Sequence, residues 1–289
     1  MSQVERKIPL PVAKALSCAG GELSDKDFEL FRSLIYSSSG ISLSEDKKHL
    51  LRNRLAKILR QGNFASYRDY YKHVTEDQSG RELIKLIDRI STNLTYFFRE
   101  PKHFDLLEAK VVPALLEEKR GRGERRLRVW SAACSTGEEP YSLLMTLLPL
   151  LEPLQAWDFR LLGSDISTQV LATAKAGVYS KEQIKGRYAS HANRFFQRSR
   201  GALIIKPSLK RFVTFARINL QEPFPVKGPF DLIFCRNVMI YFDLKTRERL
   251  VNRFFDVLAP GGHLFIGHSE NLTGLKHHLK YVCPAVYRK

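Results

Sequence analysis

Two carboxylates follow a turn of very small residues in the stretch LRVWSAACSTGEEPYSLL, residues 127–144. The apolar start is typical of a buried strand, the turn up to Gly137 has little side-chain bulk to keep a ligand from the backbone, and Pro140 fits a first helical turn. Phosphate-binding turns carry several glycines, whereas this one has a single glycine followed by Glu138 and Glu139. Because these carboxylates would repel a pyrophosphate, we expect a cationic ligand such as S-adenosylmethionine. On this stretch alone, a helix-capping role for the two glutamates is an equal alternative.

Another acidic residue ends the next apolar run. The stretch DFRLLGSDIS is typical of a buried strand that ends at Asp165. In nucleotide-binding α/β sheets, an acid at the C-terminal end of the second strand holds the two hydroxyl groups of a ribose. Asp165 could instead cap the following helix, predicted at residues 167–176. Because two consecutive strand–helix units agree, we favour the ribose interpretation.

Two later apolar runs end in residues suited to the same pocket. RFVTFARIN ends near Asn219 and Leu220, which could meet the edge and the face of an adenine, and FDLIFCRNVMIYF runs into Arg236 and Asn237. Residues just past the carboxyl end of a parallel strand face the ligand crevice. APGG (259–262) is then predicted as a turn, HLFIGHSEN as a strand, and YVCPAVYR as a final antiparallel strand. This order predicts an α/β fold with a Rossmann-like, mostly parallel sheet.

The elements before this sheet are predicted to be helical. Residues 24–90 show helical periodicity without strand-like alternation. The first helix is expected to end at Gly40, and the second to be capped by Ser44 and stopped by Gly62. Two further helices follow, so the sequence predicts a bundle of four.

One face of the predicted second helix is basic, with Arg54, Lys57 and Arg60 at three-residue steps. This face could dock an acidic protein surface, although a solvated charged face is the commoner role of such a pattern. A helical bundle joined to a ligand-binding domain favours a macromolecular substrate over a small one.

The segment STNLTYFFREPKHF, residues 91–104, connects the bundle to the sheet. Its position predicts a lid or wall of the pocket, with Asn93, Thr95 and Arg99 as hydrogen-bonding groups. A helix to about Lys119 then leads to the central strand.

Positive charge is concentrated in one region of the chain. The net charge is +17, and residues 181–230 alone hold eleven Lys and Arg against two Asp and Glu, a net charge of +9. Such a patch can attract an acidic partner or nucleic acid, or form a solvated face. Residues 180–210, which overlap this region, interrupt the strand–helix rhythm and predict a small inserted β-subdomain at about 180–212.

Composition and cysteine spacing exclude several classes of protein. The chain has 289 residues and is 44% hydrophobic, enough to bury a real core. No apolar run approaches the ~20 residues of a membrane span, and residues 1–21 have no signal-peptide pattern, so we expect a flexible lead-in and no membrane insertion. The four cysteines, Cys18, Cys134, Cys235 and Cys283, lack metal-ligand or disulfide spacing, so we predict no metal site and a cytoplasmic protein.

The motifs TNLTYFFRE, RVWSAACSTGEEPYS, SDIS, GPFDLIFCRNVMIYF and GGHLFIGHSEN together resemble the CheR-type chemotaxis receptor methyltransferases. The motifs are long, they occur in the order of the family, and the resemblance runs from about Ser24 to the C-terminus. It implies an all-α N-terminal domain (22–90), a connecting segment (91–126) and a catalytic methyltransferase domain (127–289). The implied activity is S-adenosylmethionine-dependent methylation of glutamate side chains on membrane chemoreceptors. The implied products are γ-glutamyl methyl esters and S-adenosyl-L-homocysteine.

The resemblance also implies roles for individual residues. Arg99 and Tyr241 would lie nearest the transferred methyl group, and Arg54, Lys57 and Arg60 would recognise the helical cytoplasmic domain of the receptor. Within the pocket we expect Glu138 at the methionine ammonium, Asp165 at the ribose, and Arg236 or Arg99 at the methionine carboxylate. The residues implied around the cofactor are Asn93, Thr95, Arg99, Glu138, Asp165, Asn219, Leu220, Arg236 and Asn237.

Two departures from the family bear on possible partners. Some members bind a receptor's C-terminal pentapeptide through a glycine-rich loop of the inserted subdomain that is longer than QRSRGALII, so tether binding is doubtful here. The strong positive charge of the insertion instead indicates a different acidic partner. An RNA methyltransferase and a non-catalytic cofactor-binding signalling module are the alternatives. The first is disfavoured because Arg236-Asn237-Val238-Met239 replaces the Asn/Asp-Pro-Pro-aromatic element that is common in amine-methylating nucleic-acid enzymes.

Overall fold

The structure, a computed structural model, describes residues 22–151, 157–184, 192–199 and 201–289. The predicted lead-in, residues 1–21, and part of the basic insertion lie outside the described residues. Within the described ranges, no helix is both long and apolar enough to cross a membrane.

The described residues before position 91 form a helical bundle with a core of its own. Ser24 caps the first helix by accepting a hydrogen bond from the amide of Asp27 at 3.1 Å, and Gly40 ends it in the left-handed conformation, as predicted. Phe28, Phe31 and Ile35 lie fully buried on one face. The helices are α1 (Asp25–Ser39), α2 (Lys48–Gly62), α3 (Tyr67–Glu76) and α4 (Arg81–Ile90).

The two ends of α2 differ from the sequence prediction. A 3₁₀ turn, Glu45–Lys47, precedes the helix, and the hydroxyl of Ser44 makes no capping hydrogen bond. At the other end, Gly62 is still helical, and Asn63 adopts the left-handed conformation with φ 54°. The prediction that Gly62 stops the helix was wrong by one residue because asparagine also tolerates this conformation.

The connecting segment packs as part of the sheet domain. Helix α5 (Pro101–Leu106) runs through a π-helical stretch (Leu107–Val111) into α6 (Val112–Gly121). Phe104 and Leu116 share one buried cluster with side chains of the central strands. The pocket-forming loop before α5 is therefore anchored directly to the core of the sheet.

Ten strands and five further helices make up the rest of the described chain. The strands are β1 (Arg126–Ala132), β2 (Asp158–Asp165), β3 (Val178–Ser180), β4 (Phe196–Ser199), β5 (Ala202–Ile205), β6 (Val213–Arg217), β7 (Phe230–Cys235), β8 (Leu258–Ile266), β9 (Lys280–Cys283) and β10 (Val286–Arg288). The helices are α7 (Glu138–Leu151), α8 (Thr168–Ala176), α9 (Ala192–Phe195), α10 (Pro207–Lys210) and α11 (Leu244–Val257).

Seven of these strands form one sheet in the order β6-β2-β1-β7-β8-β10-β9. The pairs among β6, β2, β1, β7 and β8 are parallel, and β10 is antiparallel to both β8 and β9. Strand β2 lies on one side of β1, and β7, which follows later in the chain, lies on the other side. This is the switch point at which α/β sheets bind ligands beyond the carboxyl ends of their strands. The predicted fold class is confirmed.

Three details of the sheets depart from the predictions. The inserted subdomain, predicted at about 180–212, is a separate sheet of order β3-β5-β4 whose first strand begins at Val178. The predicted turn APGG (259–262) lies inside β8, where the pairing with β7 shifts register. YVCPAVYR spans two strands, β9 and β10, because Ala285 turns the chain with φ 63°. The antiparallel direction was predicted correctly, but the hairpin was not.

Candidate active site

A cavity opens at the switch point of the large sheet. Its walls come from the carboxyl ends of β1, β2 and β7, from the loop 91–99, and from the helical bundle, which contributes Leu43, Lys47 and Leu50. The structure brings together at this cavity the predicted residues Asn93, Thr95, Arg99, Asp165, Asn219, Leu220, Arg236, Asn237 and Tyr241.

Asp165 is held at the end of β2 by backbone amides. One carboxylate oxygen accepts from the amide of Ser135 and the other from the amide of Ser167, both at 2.9 Å. The side chain of Ser167, not Asp165, caps α8 by accepting from the amide of Val170 at 3.3 Å. Burial raises the pKa of Asp165 despite these bonds. Each carboxylate oxygen can accept a further hydrogen bond, and Asp165 lines the cavity, which suits a pair of hydroxyl donors.

The two glutamates after the small-residue turn have different surroundings. Glu139 lines the cavity, whereas Glu138 is 1% exposed and lies outside the lining. The hydroxyl of Thr136 and the amide of Gln183 donate to Glu138 at 2.6 and 3.1 Å. Burial raises the pKa of both carboxyls. The role of Glu138 at a methionine ammonium stays a prediction, and the structure gives the cavity position to its neighbour.

Arg236 connects two carboxylates beneath the cavity. Its guanidinium donates to Glu139 at 3.1 Å, to Glu100 at 3.0 Å and to the carbonyl of Arg99 at 2.5 Å. The Arg236 side chain is only 1% exposed, so these partners replace water. We call Glu100, Glu139, Asp165 and Arg236 the cavity floor. A guanidinium shared in this way is oriented mainly by protein, which leaves Arg99 as the more available cation for a ligand carboxylate.

Glu100 is the residue on which this arrangement depends, and the motif analysis did not single it out. Its carboxylate also accepts from the side-chain amide of Asn237 and from the backbone amide of His268, both at 3.2 Å. Burial alone would raise the pKa of Glu100, but Arg236 and these hydrogen bonds hold it below its ordinary value. Glu100 therefore stays ionised and joins the loop 91–100 to the ends of β7 and β8.

Beside the floor lies a group of two histidines and a glutamate. Donor atoms of Glu100, His103 and His268 lie within 4.8 Å of one another. His103 is 2% exposed, and burial together with the charge of Arg236 lowers its pKa to about 3, so it is neutral. The positively charged guanidinium of Arg236 already pairs with Glu100 at 3.0 Å. The site is therefore electrostatically unfavourable for a metal cation.

Tyr241 lies where the helical bundle meets the sheet domain. Its carbonyl accepts from the amide of Ser42 at 2.8 Å, and the ammonium of Lys47 lies 5.7 Å from the centre of its ring. Nearby, the side-chain amide of Asn219 donates to the carbonyl of Ser38 at 2.9 Å. The two domains thus meet through hydrogen bonds to the backbone at the edge of the cavity.

The three basic residues of α2 do not share one environment. Arg54 donates to the carbonyl of Ile90 and, at 3.0 Å, to the hydroxyl of Thr92, so it braces the loop that carries Asn93. Lys57 and Arg60 are exposed. None of the three lines the cavity. Receptor recognition by these residues stays a prediction.

The buried cysteines near the cavity are not poised for nucleophilic attack. Burial raises the pKa of Cys134 and of Cys235 well above the ordinary value, and nearby carboxylates act in the same direction. Both thiols therefore remain protonated and serve as packing residues.

Family models match most of the chain. The model described as "CheR methyltransferase, all-alpha domain" matches residues 26–91, and the one described as "CheR methyltransferase, SAM binding domain" matches residues 93–287. The chain belongs to the CheR methyltransferase family. It is an S-adenosylmethionine-dependent methyltransferase of chemotaxis, as the resemblance predicted, and the two alternative functions are not favoured.

Curated relatives agree over nearly their whole length. A chemotaxis protein methyltransferase of Borreliella burgdorferi strain B31 is 42% identical over 262 residues, covering 89% of this chain and 91% of the relative. The chemotaxis protein methyltransferase of Escherichia coli K12 is 39% identical over 270 residues, covering 92% and 91%. Chemotaxis protein methyltransferase 2 of Pseudomonas aeruginosa PAO1 is 40% identical over 270 residues, covering 91% and 92%.

The residues of this CheR-family cavity fit S-adenosylmethionine. Two carboxylates, that of the half-buried Glu139 and that of the buried Asp165, lie on the floor where a cationic ligand with ribose hydroxyls would need them. Ile218 and Leu220 supply an apolar wall for a purine. The turn after β1 brings its backbone close to the cavity because Ala133 and Ser135 adopt positive φ angles of 60° and 49°.

Sequence reasoning missed three parts of this site. It passed over Glu100, although the motif FFRE contains it, and it gave no separate role to Glu139, which lines the cavity. The helical phase of α7, two residues into the helix, decides between Glu138 and Glu139, and no local pattern reveals it. The wall contributed by Leu43, Lys47 and Leu50 depends on how the domains dock, which periodicity does not encode.

Proposed function

We propose that this protein transfers the methyl group of S-adenosylmethionine to glutamate side chains of membrane chemoreceptors in the cytoplasm. The products would be γ-glutamyl methyl esters and S-adenosyl-L-homocysteine. The observation that carries the proposal is a cavity whose acidic lining residues, Glu139 and Asp165, lie on its floor, where Arg236 is already paired with carboxylates. The other basic lining residues, Lys47 and Arg99, are not part of the floor.

This charge arrangement suits a cationic donor below and an acidic acceptor above. The bound cofactor would supply an electrophilic methyl group on a sulfonium. A glutamate with an ordinary pKa of about 4.3 is ionised at neutral pH, so the acceptor needs no general base. The protein's own residues therefore need only to align the reactants and keep water out. Alignment of this kind can lower a barrier by roughly 7–11 kcal/mol.

In the proposed reaction, individual residues of the cavity would have the following roles. Asp165 would hold the ribose hydroxyls, and Arg99, whose guanidinium donates to the carbonyl of Leu94 at 2.7 Å, would face the methionine carboxylate. Tyr241 lines the cavity close to Lys47, and its hydroxyl would orient the entering carboxylate. Glu139 joins Glu138 as a candidate for the ammonium, because only Glu139 lines the cavity.

We propose that two surfaces outside the cavity contact the receptor or another partner. Lys57 and Arg60 are exposed on α2 and would meet the acidic helical domain of a receptor. Arg198, exposed on β4, belongs to the basic segment 181–230, which we propose for a different acidic partner.

The test is methyl transfer to receptor-enriched membranes from labelled S-adenosylmethionine. We expect label in the receptor band and its release as methanol under mild alkali, because carboxyl methyl esters hydrolyse there and N-methyl groups do not. An Asp165→Ala variant should label far less at the same cofactor concentration. Label that survives alkali, or that appears in RNA, would overturn the proposed function.

A further inference from the structure

Exposed apolar side chains gather at the opening of the cavity. The described residues include nine large apolar side chains that are exposed, and three of them line this one cavity: Leu50 at 43%, Leu94 at 71% and Tyr96 at 49% exposed. They come from two separate elements, α2 and the loop 91–99. We call these three residues the apolar rim. Clusters of exposed apolar side chains at a polar opening are typical of interaction sites.

The loop that carries Leu94 and Tyr96 is held in place by arginines. Arg99 donates to the carbonyl of Leu94 at 2.7 Å, and its guanidinium lies 6.0 Å from the centre of the Tyr96 ring. Arg54 donates to the hydroxyl of Thr92 at 3.0 Å. The outward position of the two apolar side chains is therefore built into the loop by contacts with its backbone and neighbours.

The charges around the rim indicate what covers it. Lys47 and Arg99 line the cavity on this side, and both acidic lining residues lie on the floor. Within the described part of the chain, the ammonium of Lys47 has no hydrogen bond or ion pair, and it lies 5.7 Å from the centre of the Tyr241 ring. An apolar rim with unneutralised positive charge complements a segment that is both acidic and apolar.

We propose that the apolar rim docks an amphipathic acidic helix, whose acceptor glutamate enters the cavity while apolar side chains three or four residues away pack on Leu50, Leu94 and Tyr96. This inference rests on the proposed function and specifies what its acceptor must look like. On a helix, residues three and four positions apart lie on the same face, so one acid and its apolar neighbours can reach an opening and its rim together. The flanking apolar residues, in addition to the glutamate itself, then determine which sites are modified.

The experiment measures binding separately from methyl transfer. The full chain, loaded with S-adenosyl-L-homocysteine so that no turnover occurs, is titrated with the cytoplasmic fragment of a chemoreceptor encoded in the same genome. In the double variant Leu94→Ser/Tyr96→Ser we expect affinity for the fragment to fall about tenfold, as lost burial of one or two apolar side chains predicts. Affinity for S-adenosyl-L-homocysteine should fall less than affinity for the fragment, because Arg99 keeps its hydrogen bond to the backbone carbonyl of Leu94.

A matched control removes exposed apolar side chains elsewhere. Tyr281 and Val282 lie on the outer strand β9, are 64% and 44% exposed, and do not line the cavity. The variant Tyr281→Ser/Val282→Ser should bind the fragment within twofold of the wild type. Equal binding by wild type and rim variant, no measurable binding by the wild type, or an equal loss in the control would each overturn the proposal.

One further measurement distinguishes a helical acceptor from an extended one. A second distinguishes the rim proposal from the proposed function. A synthetic acceptor peptide with proline in its centre should bind at least tenfold more weakly than its helical parent, and equal binding would show an extended occupant instead. Alkali-labile methylation of the wild-type fragment is scored independently. If methylation occurs without any effect of the rim, the rim proposal fails alone. If binding depends on the rim but no ester forms, the proposed function fails alone.

Discussion

The floor and the rim of the same cavity are built in opposite ways. On the floor, Arg236 is 1% exposed and its guanidinium is occupied by two carboxylates and a carbonyl. At the rim, Leu94 is 71% exposed and its side chain has no polar group to satisfy. The floor places bonded charges where water is excluded, whereas the rim exposes apolar surface to solvent.

This difference separates recognition of a small ligand from recognition of a large one. Charges that are fixed by several protein partners in a mostly buried site have few alternative arrangements, so they discriminate sharply among small ligands. Exposed apolar groups gain free energy only when another surface covers them, so they respond to a macromolecule. Changes to the floor should therefore affect folding and cofactor binding, and changes near the rim should affect the acceptor.

The largest expected effect is loss of the shared guanidinium. Arg236→Met would leave Glu100 and Glu139, whose side chains are each only 14% exposed, without their common partner, so the free energy of unfolding should fall by about 3–5 kcal/mol. Denaturant titration measures this change. The exposed Arg60→Met variant serves as the control and should stay within about 0.5 kcal/mol of the wild type. A loss below about 1 kcal/mol for Arg236→Met would mean that the floor is not organised by this ion pair.

Removal of the Asp165 carboxylate should weaken cofactor binding with a smaller effect on folding. In Asp165→Ala we expect the Kd for S-adenosylmethionine to rise about 10- to 100-fold, because charge-assisted hydrogen bonds are lost. Calorimetry gives this value directly. Asp165→Asn keeps one oxygen acceptor for the backbone amides and should give an intermediate Kd. An unchanged Kd in both variants would remove Asp165 from the ribose site.

The free energy of unfolding should depend on pH through His103, which is buried beside the cavity floor. The folded pKa of His103, about 3, lies below its ordinary value of 6.5, so the unfolded chain binds a proton first as the pH falls. Stability is therefore lost between about pH 6.5 and 3. In His103→Gln this loss should shrink by about 2 kcal/mol between pH 7 and pH 4.5. His263, with a pKa of about 4, contributes equally to both proteins. Parallel pH profiles from denaturant unfolding would refute the assignment.

The smallest expected effect concerns the tyrosine between floor and rim. Tyr241→Phe removes one hydroxyl, so kcat should fall about tenfold, the equivalent of one hydrogen bond of about 1.4 kcal/mol. Its Kd for the cofactor should stay within twofold of the wild type. Single-turnover methylation of the receptor fragment separates these quantities. Full activity in Tyr241→Phe would show that the hydroxyl does not orient the acceptor.

Strand ends were predictable from sequence because their position follows from local patterns. Asp165, Asn219, Arg236 and Asn237 each follow an apolar run, and parallel strands bring the ends of such runs to one edge. The position of segment 91–104 between bundle and sheet indicated the loop residues Asn93, Thr95 and Arg99, and the family resemblance then placed them around the cofactor. Local pattern therefore found the edge of the sheet, and the family resemblance completed the site.

Local sequence patterns could not predict which way side chains on a helix point or how the two domains dock. Glu138 and Glu139 are adjacent, so only the rotation of α7 decides which of them lines the cavity. Arg54 was expected on a receptor-binding face, but the way α2 packs against the end of α4 turns it toward Ile90 and Thr92. Both outcomes depend on tertiary contacts between segments far apart in the chain, which a helical period does not specify.

The hydrogen bonds between the two domains limit how the family's parts can be exchanged. Ser38 and Ser42, at the end of the first helix, use backbone atoms to hold Asn219 and the carbonyl of Tyr241. In a chimera, the helical domain would come from one family member and the methyltransferase domain from another. Such a chimera would have to preserve these two hydrogen bonds between the domains. Because the backbone atoms at positions 38 and 42 are present in any non-proline residue, such a chimera should keep both hydrogen bonds as long as Asn219 is retained.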